Sequence, residues 1–91
     1  MRFIWTDPAL EDLDRVYHFL AKVNPRAAAK AIQSLVNAPA HLITHPRHGA
    51  VLSEFEPREV RRLIVGQYEM RYELKINDIY LLHVWHTKED R

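Results

Sequence analysis

The chain of 91 residues has no cysteine, which excludes disulfides, thiolate catalysis and cysteine-ligated zinc together. It has only two glycines, so a phosphate-cradling loop, a dinucleotide fingerprint or a nucleophile elbow has no material. No apolar run approaches the length of a membrane span, and the start MRFIWTDPAL lacks the charged-then-apolar layout of a signal peptide. The expected location is the cytoplasm, with no membrane partner. Net charge is scarce too: +1 overall does not by itself imply nucleic-acid binding. Acids are missing locally, since no Asp or Glu falls between Arg15 and Ser53 while Arg15, Lys22, Arg26, Lys30 and Arg47 do. A mildly basic middle suits an acidic or phosphate-bearing partner, or is the solvated face of a helix. This length has room for one domain, residues 1–91, and one core.

What is present is ordinary for a folded protein, with 47% hydrophobic and 27% charged residues. Phe3, Ile4 and Trp5 form a short strand-like run. Thr6-Asp7-Pro8 then reads as a helix start, a capping side chain followed by a proline that needs no N–H partner in the first turn. Leu10, Leu13, Val16, Tyr17 and Leu20 recur at helical spacing, with acids near the start and Lys22 near the end, which predicts a helix ending near Val23. Asn24-Pro25 repeats the start signal for a second helix, whose stripe is Ala28, Ala31 or Ile32, Leu35 and Val36, with Leu42 as a further candidate. Pro39 should kink or interrupt it near Ala38. From His45 to Glu59 the chain has no sustained period and reads as a loop, with an extended piece at Ala50 to Leu52.

Three strand-like runs follow: Val60 to Val65, Tyr68 to Ile76 and Ile79 to His86, separated by turns at Gly66-Gln67 and Asn77-Asp78. The stretch QYEMRYELK alternates Tyr68, Met70, Tyr72 and Leu74 on one face with Glu69, Arg71, Glu73 and Lys75 on the other. The first set predicts a core face, and the second an outward one. The run IYLLHVW is apolar on both faces, as in a strand covered on both sides. The predicted fold is α+β: an N-terminal strand, an antiparallel helical hairpin and a three-stranded antiparallel meander, with the helices on one face of a small sheet.

Candidate chemistry is sparse. His41 and His45 stand at i, i+4 with His48 nearby, but no carboxylate lies between Asp14 and Glu54, so surface histidines are favoured over a metal site. His83 and His86 fall at the end of the last strand, on opposite faces by alternation, and either could act in proton transfer or pack structurally. Arg58, Arg61, Arg62 and Arg71 could form an anion-binding patch, a reading weakened by the acids interleaved with them.

IWTDPALEDLDRVYHFLAKVNPRAA, the HPRHG segment and VRRLIVGQYEMRYELKINDIYLLHVWHTKEDR together resemble the RelE/ParE superfamily of toxins from type II toxin–antitoxin modules. The likeness covers nearly the whole chain, and it implies the same helical hairpin on a small sheet. RelE-like members cut mRNA on the ribosome, and in RelE itself an arginine directly follows the first tyrosine of Tyr-x-x-x-Tyr; that position here is Glu69, and no tyrosine follows Tyr80, although other ribonuclease members use a glutamate and a C-terminal histidine. The Val84-Trp85-His86 ending, with Lys88 and Arg91 behind it, is more similar to the ParE branch. The resemblance therefore implies a toxin that inhibits DNA gyrase by binding and is neutralised by a cognate antitoxin, with no cofactor, no metal and no direct specific nucleic-acid binding. Arg61, Arg62, Arg71, Trp85, His86 and Lys88 are its expected target- or antitoxin-binding residues. The alternatives are a ribosome-dependent mRNA endoribonuclease, for which Glu69, Arg71 and His86 would be catalytic, and a non-toxic member that only binds its antitoxin.

Overall fold

The computed structural model describes residues 1–88, and Arg91 lies outside them. Strand β1 (Arg2–Trp5) leads into helices α1 (Asp7–Ala21) and α2 (Pro25–Thr44). A two-residue strand β2 (Ala50–Val51) and a 3₁₀ turn (Ser53–Phe55) come next, followed by β3 (Glu59–Val65), β4 (Tyr68–Leu74) and β5 (Asp78–His86). The sheet order is β1-β5-β4-β3-β2, with β1 parallel to β5 and the remaining pairs antiparallel. The expected meander is therefore the centre of a mixed five-stranded sheet.

Both helix starts form as their residues dictate. The Thr6 hydroxyl donates to the Leu81 carbonyl at 2.6 Å and accepts from Ala9 N, so one side chain caps α1 and ties it to β5. Asn24 Oδ1 accepts from Arg26 N and Ala27 N. Pro39 does not interrupt α2, which runs on to Thr44. Pro39 is buried, one turn beyond the fully buried Leu35, so its ring serves as a core group where its missing N–H would otherwise be felt. The helix after it is secured by Leu42, which is also fully buried.

The core lies between the helical hairpin and one sheet face: Leu35, Leu42, Met70, Tyr72, Ile79, Leu81 and Val84 are all inaccessible to solvent. The second turn falls earlier than expected. Strand β4 stops at Leu74, Lys75 N bonds to Asp78 O, and Ile76 stands in solvent.

Strand β5 also departs from simple alternation. Arg71 pairs with His83 and Tyr72 with Leu81, which leaves Leu82 as an extra residue in a bulge. The bulge switches parity, so Ile79 and Leu81 face the core before it and Val84 after it. IYLLHVW is thus apolar at both parities because its inward set changes midway, and not because both faces are covered throughout.

Candidate functional site

The sheet face away from the helices carries Arg62 from β3, Glu69, Arg71 and Glu73 from β4, and His83 and Trp85 from β5. Its acids do not look into solvent as alternation predicts. Glu69 is only 2% exposed and Glu73 only 8%. Arg71 Nη2 donates to Glu69 at 3.1 Å, and Arg62 stands 3.8 Å from the other oxygen of that carboxylate. Arg58 grips Glu73 with two bonds of 2.9 and 3.0 Å. Those bonds hold the Glu73 carboxyl below the usual carboxylate range, against the opposing effect of burial. Breaking a charge-assisted pair of this kind leaves a desolvated ion, so the buried acids act as anchors for the arginines above them.

Aromatic rings complete the face. The Arg71 guanidinium lies 4.7 Å from the Trp85 ring centroid and 5.6 Å from that of Phe55, which reaches over from the 3₁₀ turn. Trp85 in turn stacks on His83 at 4.9 Å and 14°. His83 Nδ1 lies 2.9 Å from Asp12 Oδ2, which also accepts from Val84 N at 3.0 Å. Asp12 Oδ1 receives Arg15 at 2.6 Å. A carboxylate only accepts, so Nδ1 is the donor of this bond and the ring is held in one orientation. Phe55, Arg58, Arg71, His83 and Trp85 line a groove of about 610 Å³ that reaches the start of α1 at Pro8.

The remaining candidates lie elsewhere. His86 pairs across from Tyr68 and so faces the helix side, opposite Glu69 and Arg71. Its Nδ1 accepts from Lys88 N, and Nε2 donates to Gln67 Oε1. With Arg15, Val16, Phe19, Tyr68 and Lys88 it lines a second cavity, of about 440 Å³. Arg61 points away from Arg62 and anchors a loop, bonding Glu59 and the carbonyls of Gly49 and Arg47. His41, His45 and His48 do come together, with ring centroids 4.7 and 4.9 Å apart. The described residues contain no group of three His, Cys, Asp or Glu that could hold a metal ion.

The structure therefore separates the residues that the sequence put in one set. Arg71 and Trp85 share a groove, Arg62 lies on the same sheet face beside Glu69, His86 and Lys88 share a cavity on the other face, and Arg61 belongs to neither. Asp12 and Phe55, which the sequence reading passed over, help build the groove. Asp12 sits at an ordinary helical position, and only the parity change at Leu82 brings Val84 N within its reach.

Comparison with known proteins follows the same architecture. Residues 3–91 match the family model of the ParE toxin of type II toxin–antitoxin systems, parDE. No curated protein sequence shows significant similarity to the chain. Among solved structures, the chromosomal ParDE TA system from P. aeruginosa is similar at 28% identity and a TM-score of 0.77, over 94% of this chain and 95% of that one. The helical hairpin on its bulged sheet, with a match that spans nearly every residue, places this chain in the ParE toxin family of type II toxin–antitoxin systems.

Proposed function

We propose that this toxin inhibits DNA gyrase by binding it, performs no chemistry of its own, and is neutralised by a cognate antitoxin. The observation that supports this best is the fate of Glu69. A ribonuclease base must reach the proton it takes, within about 3 Å, while an acid meets the leaving oxygen on the same phosphate. Glu69 is buried beneath Arg62 and Arg71, and His86 lies across the sheet with both ring nitrogens engaged. Glu69, Arg71 and His86 do not converge. The described P. aeruginosa relative is a ParDE toxin–antitoxin system, which supports a protein antitoxin for this chain as well. Phe19, 70% exposed beside the helix-side cavity, offers an antitoxin an apolar anchor point.

One observation favours a second reading, an mRNA endoribonuclease: His83, oriented by Asp12, stands on the same face as Arg71, a base with its orienting group near a cation. The two readings separate when purified toxin is assayed for gyrase supercoiling of plasmid DNA beside a translation extract probed for cut message. Lost supercoiling with intact message is expected. Cut message that depends on His83, with gyrase unaffected, overturns the gyrase reading. Growth inhibition on expression without antitoxin is also expected, and its absence would leave a protein that only binds its antitoxin.

A further inference from the structure

We propose that the groove beside Arg71 is a recognition site for a carboxylate, an acidic side chain presented by a partner protein. The charge arrangement carries this. Arg58, Arg62 and Arg71 keep 53%, 50% and 23% of their side chains exposed, whereas the carboxylates they bind keep 10% or less. An arriving ligand meets guanidinium edges, with the acids beneath them out of reach. Three cations over two anions leave this set with a net positive charge, and it is the cations that are exposed.

Donors are also left for a ligand. Arg58 bonds Glu73 through Nε and Nη2, and Arg71 bonds Glu69 through Nη2. The Nε of Arg71 is buried without a hydrogen-bond partner among the described residues, so the donors it keeps for a ligand are those of its two terminal nitrogens. His83 lines the groove with Nδ1 donating to Asp12, and as an imidazolium it offers Nε2–H as a second donor to a carboxylate. Asp12 is a positioning residue here. Phe55 and Trp85 flank the guanidinium and fix its plane, which suits the two-pronged pairing of arginine with a carboxylate.

A nucleic acid fits less well. Phosphate backbones need a run of cations along a track. Beyond the groove, Arg2 pairs with Asp78, and Arg47 and Arg61 pair with Glu59, so these cations do not extend a track from it. This inference is independent of whether gyrase is the target, because it is tested without gyrase.

The test titrates the ¹⁵N-labelled full chain with a hexaglutamate peptide and, separately, with a deoxythymidine decamer. Hexaglutamate should shift the Trp85 indole and His83 ring resonances saturably while leaving the Trp5 indole in place. Arg71→Lys, which keeps the charge but loses the planar fork, should weaken that binding about tenfold, as should His83→Gln. Half-exposed His83 carries the test should Arg71→Lys fail to fold. Absence of a saturable shift at these two rings, affinity unchanged in a folded variant, or tighter binding of the decamer at the same rings would each overturn the proposal.

Discussion

Tyr72 holds the HPRHG segment onto the sheet with a single oxygen. Its hydroxyl donates to Pro46 O at 2.8 Å and accepts from Gly49 N at 2.9 Å. Burial pushes the phenol above its ordinary pKa, so it stays protonated and keeps donating across the accessible range. Gly49 is required by the same contact, since a Cβ there would lie 2.6 Å from Arg62 O and 2.7 Å from the Tyr72 hydroxyl. Tyr72→Phe keeps the ring but strands a buried N–H and a carbonyl, and should cost about 1–3 kcal/mol. Urea unfolding should show a lower midpoint at an unchanged slope. A midpoint equal to wild type would mean that the segment is held by something else. The ring was legible in the alternation of QYEMRYELK; the hydroxyl's role was not, because its partners lie more than twenty positions away in a stretch with no period.

At the scale of elements, the side chains of α1 replace a missing strand. Strand β1 ends opposite Leu81, yet β5 continues to His86, and over that stretch Val84 turns its backbone toward α1. Asp12 accepts from Val84 N and Arg15 donates to Val84 O, so two helix residues one turn apart satisfy one strand residue. Asp12→Ala should therefore speed amide exchange at Val84 while leaving Met70, in the sheet interior, protected. Equal exchange at Val84 before and after the change would show that the edge is protected without Asp12. Local signals explain why both helices were legible: Thr6 before Asp7-Pro8 and Asn24 before Pro25 specify their own starts. The ends were less legible, since Pro39 obeys its tertiary setting and not its propensity. The bulge was invisible for a different reason. A parity change in an apolar run looks the same as burial on both faces, and only pairing with β4 tells them apart. That same bulge sets His83 and Trp85 beside Arg71, so the groove could not be assembled from periodicity alone.

The molecule as a whole presents two unlike surfaces, an apolar cavity beside Phe19 on the helix side and a cationic groove on the other side of the sheet. If the antitoxin covers the first, Phe19→Asp should abolish neutralisation while growth inhibition persists, as truncating or charging a central apolar anchor removes most binding energy at an interface. Coexpression of the variant with wild-type antitoxin reads this directly, and full rescue would place the antitoxin elsewhere. The ion pairs that build the second surface make stability depend on acid. Arg58 holds Glu73, and Arg61 with Arg47 holds Glu59, below the usual carboxylate range. A carboxyl with a lower pKa folded than unfolded stabilises the fold above its unfolded value of about 4.3, and that contribution disappears as the pH falls through the folded value. Melting temperature should thus stay level from pH 7 to about 5 and fall below that. Arg58→Gln removes the partner that lowers Glu73, so it should melt earlier than wild type at neutral pH. The gap should close as acid protonates Glu73 in both proteins, because the pair it reports then exists in neither. Melting curves recorded between pH 7 and 3 decide the matter: a gap of constant size at every pH would mean that Arg58 acts through packing on Phe55, at 6.0 Å, and not through the charge on Glu73.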